Sequence, residues 1–250
     1  MKPCVIIHPQ YKSFLRFAEN LPAIFEESGL LLHDKRNVVK RFEVDGLALV
    51  VKRYKVPLFF QCVDYTWFRP SKALRAYRFA LRLKELGIDT PEAVACVEVK
   101  HWGLFRQGYF VSRECVDKNV RCLLEDPDHA PEGLFDAYVR FLLEMHEKGF
   151  LHGDLNMTNT LYRKEKDGEG FHFTVIDINR SRFITHPTRE QCLKNLMRIT
   201  RTRPFSRQVV SRYAELRGWD VEESVRFVFH EIDLYERKRK LRRLGKRKAS

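Results

Sequence analysis

Two stretches decide the reading of this chain: Phe150-Leu151-His152-Gly153-Asp154-Leu155-Asn156-Met157-Thr158-Asn159, and Val175-Ile176-Asp177-Ile178-Asn179. The first follows an amphipathic run over 131–149, in which Leu134, Tyr138, Phe141, Leu142 and Met145 recur at helical spacing and Gly149 supplies the stop. Two strand-like runs come next, 160–163 and 171–178, around the turn Lys166-Asp167-Gly168. The spacing therefore puts Asp154 on a loop between a helix and a hairpin, an amide (Asn159) five residues on, and Asp177 at a strand end. Phosphoryl transfer asks for such a set: a carboxylate to orient the attacking hydroxyl, and hard oxygen donors to hold magnesium against phosphates. Taken singly, each motif reads as a turn, because Asp and Asn are common turn formers and a His beside a helix end is often a hydrogen-bonded core residue. Their order and flanking elements point to chemistry instead.

Upstream, Leu30-Leu31-Leu32, 38–44 and 47–54 read as three strands, the last two joined by Asp45-Gly46, a strong hairpin turn. Ser71 is the expected N-cap of a helix over 72–86 that ends at Gly87. Residues 93–99 and 108–112 read as a further hairpin. Downstream, helical patterns lie near 188–202, 206–217 and 221–244. The expected architecture is α+β: a small antiparallel-sheet lobe with one helix over 1–112, a larger helical lobe over 113–236, and a basic tail over 237–250.

The 150–183 region resembles the catalytic loop and metal-binding motif of the protein-kinase-like superfamily. More narrowly, H-G-D-L-N-x-x-N followed by V-I-D-I-N-R-x-R-F is similar to the lipopolysaccharide-core kinases, the Kdo and heptose kinase family. The likeness extends over about 200 residues from Leu30 onward and is weaker in the first lobe. It implies a bilobal kinase-like fold that uses ATP and magnesium. Carried over position by position, Asp154 would be the catalytic base, Asn159 and Asp177 the magnesium ligands, and His152 a structural support of the loop. Lys52, ending an apolar strand, would contact the α- and β-phosphates; Lys40 and Lys55 are its neighbours and competitors. Lys35, Arg36 and Asn37, in the turn between the first two strands, and Ser112, at the end of the lobe, would also face the nucleotide. Arg180 and Arg182 would meet an anionic glycolipid or sugar acceptor, since guanidinium groups pair bidentately with carboxylate and phosphate.

Three departures stand out. Lys35-Arg36-Asn37 replaces a glycine-rich loop. The helix glutamate that pairs with the kinase lysine is missing: the defensible registers place Ala76 or Arg78 there, with Glu85 at the helix end. Asn179 stands where many kinases have glycine. Other readings are a kinase of another small molecule or of a protein, and a nucleotide-binding scaffold without activity. No A-P-E segment follows Asp177, which disfavours a protein acceptor.

Composition sets the outer limits. The chain has 250 residues, is 44% hydrophobic and 12% aromatic, and so has the apolar material for a core, unlike a disordered chain. No apolar stretch approaches the roughly 20 residues of a membrane-spanning helix. The apolar run near the start is short for a secretory signal, which leads us to expect a cytoplasmic protein. Of the net charge of +13, +9 falls in RKRKLRRLGKRKAS, residues 237–250. Such a tail suits an anionic membrane surface at roughly 1 kcal/mol per base, or is a solvated end. Nucleic acid is disfavoured because the body shows no recognisable nucleic-acid module. The six cysteines form no C-x-x-C pair, and Cys62, Cys96 and Cys192 read as buried thiols. Residues 56–68 are unusually apolar and aromatic, either an exposed lipid-facing or substrate-covering insert or packed on the sheet.

Overall fold

The computed structural model describes residues 2–165, 168 and 170–247, with side chains over 2–58, 60–165, 168 and 170–241. The chain divides into two units, Met1–Val116 with Val175–Asn179, and Asp117–Thr174 with Arg180–Ser250.

The first unit is built on a six-stranded antiparallel sheet. Its elements are β1 (Cys4–Ile7), α1 (Leu15–Ile24), β2 (Leu30–Asp34), β3 (Val38–Val44), β4 (Leu47–Arg53), α2 (Phe59–Trp67), α3 (Lys72–Glu85), β5 (Ala93–His101) and β6 (Leu104–Arg113). The strand order is β1-β5-β6-β4-β3-β2. Asp45 and Gly46 both have positive φ, 50° and 75°, which closes the β3–β4 hairpin with Val44 opposite Leu47. Inward residues of the sheet, among them Phe42, Leu49, Val51, Val97 and Val111, meet Ala18, Leu21 and Phe25 from the α1 region in one core. The hydroxyl of Ser71 accepts the Leu74 N–H at 3.1 Å and starts α3; Ala73, Ala76, Tyr77, Ala80 and Leu83 form its buried face.

Several sequence expectations for this unit change. It has three helices among the described residues, not one, and the sheet begins at Cys4 rather than Leu30. The β5–β6 strands run on to a two-residue turn, Trp102-Gly103, at φ 54° and 78°; Trp is a poor turn signal, so the hairpin looked looser. The aromatic segment is partly packed and partly exposed. Cys62 of α2 is buried and the Tyr65 ring meets Phe105 edge-on, while Phe60, Trp67 and Phe68 are 83%, 65% and 76% exposed.

The second unit contains β7 (Lys118–Asn119), α4 (Cys122–Glu125), α5 (Leu134–Glu147), β8 (Phe150–Leu151), β9 (Thr160–Lys164), β10 (Phe171–Val175, whose last residue belongs to the first unit), β11 (Arg182–Phe183), α6 (Arg189–Leu196), α7 (Arg203–Arg217) and α8 (Val221–Arg247). Left-handed Gly133, φ 76°, delays α5 past the expected 131. The helix expected near 188–202 stops at Leu196. A short β8–β11 pairing sets Arg182 opposite Leu151 and Phe183 opposite Phe150. Lys166 and Asp167 of the expected turn lie outside the described residues, as do 248–250 and the side chains of the basic tail from Arg242 onward. No helix among the described residues is long and apolar enough to cross a membrane. None of the six cysteines is in a disulfide among the described residues, and burial pushes the Cys96 and Cys192 thiols up, which makes them poor nucleophiles.

Candidate active site

In the second unit the H-G-D-L-N-M-T-N segment is held mainly through its backbone. Leu155 and Met157 are buried and anchor it. The Asp154 N–H donates to His152 Nδ1 at 3.1 Å, and the Asp154 carbonyl accepts the Asn156 N–H at 2.8 Å and Asn159 Nδ2 at 2.9 Å. Donation through Nδ2 turns the Asn159 Oδ1 into the free acceptor end of that amide. The Asp154 carboxylate is left half-exposed, with the Arg180 guanidinium 3.6 Å from it.

Behind the loop lies a buried polar chain that sequence reasoning missed. Asn195 Nδ2 donates to the His152 carbonyl at 2.7 Å, while Asn195 Oδ1 sits 3.1 Å from His146 Nε2 and His146 Nδ1 sits 2.8 Å from the Tyr213 hydroxyl. These contacts assign one consistent tautomer, with the His146 proton on Nε2 and the Tyr213 hydroxyl donating to Nδ1. Burial holds the His146 pKa down at about 4, so the ring is neutral. A fully satisfied buried network of this kind fixes one geometry for the groups it supports.

Gly153 is required by packing. A Cβ there would lie 2.1 Å from the Arg180 carbonyl oxygen, so the loop is seated directly on the chain after the metal motif, and the Gly153 N–H also donates to Ser181 Oγ at 3.3 Å. Gly153→Ala must push two backbone segments apart. We expect a loss of about 2 kcal/mol in denaturant unfolding, with transfer down at least roughly tenfold as Asp154 is displaced.

In the first unit, Lys52 Nζ lies 2.7 Å from Asp177 Oδ1, and Asn179 Nδ2 donates to the same oxygen at 2.6 Å. Asp177 has φ 57°, a left-handed conformation sparse for non-glycine residues and frequent where function holds it. The Val175 N–H donates to the Asp89 carbonyl at 2.9 Å and ties this segment to the first unit. Beneath the pair, burial and then the Asp177 charge push the Tyr54 phenol well above its usual range, and the Lys52 ammonium stands 5.6 Å over its ring.

The three candidate lysines differ in what they touch. Lys40 is spent on the end of α1, donating to the Phe25, Glu26 and Ser28 carbonyls at 2.6, 2.9 and 3.0 Å. Lys55 is exposed, its N–H held by Asn37 Oδ1 at 3.2 Å. The acid facing Lys52 is Asp177, not a helix glutamate: Ala76 is buried, Arg78 exposed, and Glu85 pairs with Arg82 at 2.8 Å. Arg75 on α3 has a buried Nε with no partner among the described residues, a donor that a phosphate oxygen would satisfy. Lys35, Arg36 and Asn37 occupy the β2–β3 connection, and Ser112 is buried within β6, opposite Val50 of β4. Arg182 is exposed on β11.

Asn159 and Asp177 offer hard oxygen donors, the chemistry magnesium prefers, and few protein ligands suffice because phosphates and waters complete its shell. Both protein contacts of Asp177 fall on Oδ1, which leaves Oδ2 for a cation among the described residues. The oxygen that each of these residues offers is of the kind the metal takes.

A lysine paired with a left-handed aspartate at the end of a strand, and an aspartate–asparagine loop after a helix, are the parts of a kinase-type phosphotransferase. The family model described as "Lipopolysaccharide kinase (Kdo/WaaP) family" matches residues 34–216, and the chain belongs to this family. Among solved structures, that of WaaP in complex with acyl carrier protein is 19% identical, covers 94% of this chain and 97% of that one, and superposes with a TM-score of 0.61. The protein-kinase-like fold is thereby shown. The Rio2 kinase–ADP/Mg2+–phosphoaspartate complex from Chaetomium thermophilum is 17% identical over 93% of this chain and 82% of that one, with a TM-score of 0.47. No curated protein matches the sequence.

Proposed function

We propose that this kinase transfers the γ-phosphoryl group of ATP, with magnesium, to a sugar hydroxyl of the lipopolysaccharide inner core, on Kdo or heptose. The Lys52–Asp177 contact carries the reading, because it joins the phosphate-binding lysine to the metal-motif aspartate within one unit. Asp154 accepts the proton of the acceptor hydroxyl as its oxygen bonds to the γ-phosphorus; the bond from that phosphorus to the bridging oxygen breaks, and ADP leaves with the electron pair. Lys52 neutralises the α- and β-phosphates, with Arg75 and the Lys35-Arg36-Asn37 turn as further donors and Ser112 at the nucleotide's edge. Asn159 and Asp177 would hold magnesium, which would supply charge neutralisation at the phosphate oxygens. Arg180, already beside Asp154, orients that carboxylate, and Arg182 is left for the acceptor.

The exposed aromatic face of α2 and the basic run from Arg237 support a peripheral position on an anionic membrane, the surface that displays a lipid-anchored sugar. The reaction is tested by incubating the protein with ATP, magnesium and lipid A precursors bearing Kdo or heptose. Phosphorylated glycolipid and ADP in equal amounts are the expected products. ATP binding without transfer to any glycolipid would overturn the reading in favour of a scaffold.

A further inference from the structure

A cavity of about 270 Å³ opens beside Asp154 within the second unit, walled by the 197–201 turn after α6 and by one face of α8. Its lining mixes three chemistries. Ile232 and the Tyr235 ring give it an apolar side; Glu236 and Asp154 contribute carboxylates; Arg198 and Arg201 contribute guanidinium groups. The Arg198 guanidinium lies 5.7 Å from the Tyr235 ring centroid, which holds it over the aromatic face.

The charges are arranged asymmetrically. Asp154 already faces Arg180. Along α7, Arg203, Arg207, Arg212 and Arg217 each hold a carboxylate: Asp233, Glu222, Asp136 and Glu147 respectively. Neither Arg198 nor Arg201 does so among the described residues. Two unpaired guanidinium groups on one short turn, bordering a cavity that contains the base, form a site for an external anion. A carboxylate accepts hydrogen bonds from hydroxyls, and an aromatic ring packs on the C–H face of a sugar.

We propose that this cavity is the acceptor subsite, and that Arg198 and Arg201 bind a carboxylate or phosphate substituent on the sugar while Glu236 and Tyr235 hold its ring. The inference rests on Asp154 being the base. It places anion recognition on the 197–201 turn, beside the role left to Arg182. Sequence spacing does not point there, because the turn carries no motif and only the return of α8 gives it an opposite wall.

The test is direct binding, which does not depend on transfer. A deacylated glucosamine disaccharide bisphosphate bearing Kdo is titrated calorimetrically into the wild type, into the Arg198→Gln/Arg201→Gln double variant, and into Arg203→Gln, which also loses a charge on an adjacent element. The double variant is expected to bind at least tenfold more weakly, and Arg203→Gln within about twofold of wild type, with melting temperatures confirming that all three are folded. Equal weakening in both variants would mean a general charge effect and would overturn the subsite. So would unchanged affinity in the double variant, or no binding by the wild type. If the wild type binds but never phosphorylates a glycolipid, the subsite stands and the kinase reading for this acceptor fails.

Discussion

Asp154→Ala is expected to lower phosphoryl transfer by roughly 10²–10⁴-fold, the range for removing a general base, while leaving the melting temperature nearly unchanged. The second half of that statement makes the first interpretable. The loop is built from the backbone N–H and carbonyl of Asp154, bonded to His152, Asn156 and Asn159, and none of these bonds uses the carboxylate. The carboxylate's ion pair to Arg180, at 3.6 Å, joins two partly exposed side chains and is worth little. Alanine therefore removes the chemistry and keeps the scaffold. Asp154→Asn adds a control for shape, because it preserves volume and one acceptor oxygen yet cannot take a proton. Both variants should lose transfer alike, with KM for ATP less affected than kcat. Transfer within about threefold of wild type in Asp154→Asn, measured with labelled ATP, would reduce Asp154 to a positioning role.

Much of this centre is legible in the sequence because it depends on local chemistry. Asp154 and Asn159 belong to one loop, and their spacing survives any arrangement of the rest. Lys52 is legible as the end of an apolar strand, and its competitors fall away only when Lys40 is seen capping α1. What could not be read is what long-range packing decides. The acid that faces Lys52 comes from 125 residues downstream, whereas the expected one was sought on the neighbouring helix. β1 is four residues long and pairs with β5, far along the chain, so it has neither the length nor a hairpin turn to announce it. The α1 region had no expectation in the sequence pattern, and Pro22 lies inside the helix, yet Ala18, Leu21 and Phe25 fill the core of the sheet. The H-G-D glycine looked like a turn residue, and only the approach of the Arg180 carbonyl shows why a side chain has no room there.

The buried chain behind the loop has a consequence for acid stability. His146 is fully buried, and its pKa is held at about 4, first by burial and further by the Arg217 charge, against its hydrogen bond to Asn195 Oδ1, which raises it. In the unfolded chain the imidazole titrates near 6.5. Between these values the unfolded state binds the proton and the folded state does not, so folding stability must fall as pH drops from about 6.5 towards 4. Above that window the contribution is present in full; below it nothing more is lost from this group. Integrated to pH 4, the linkage amounts to about 3 kcal/mol. Carboxylates titrate in the same range, so the variant comparison isolates the histidine. His146→Gln keeps a donor for Asn195 and removes the titration. It should be less stable than wild type at pH 7, where the Tyr213 contact is compromised, but should lose about 3 kcal/mol less than wild type between pH 7 and pH 4. Denaturant unfolding at the two pH values reads the difference directly, and parallel losses in the two proteins would exclude His146 as the group responsible. Protonated imidazole must donate from Nδ1 as well, which the Tyr213 hydroxyl can meet only by turning.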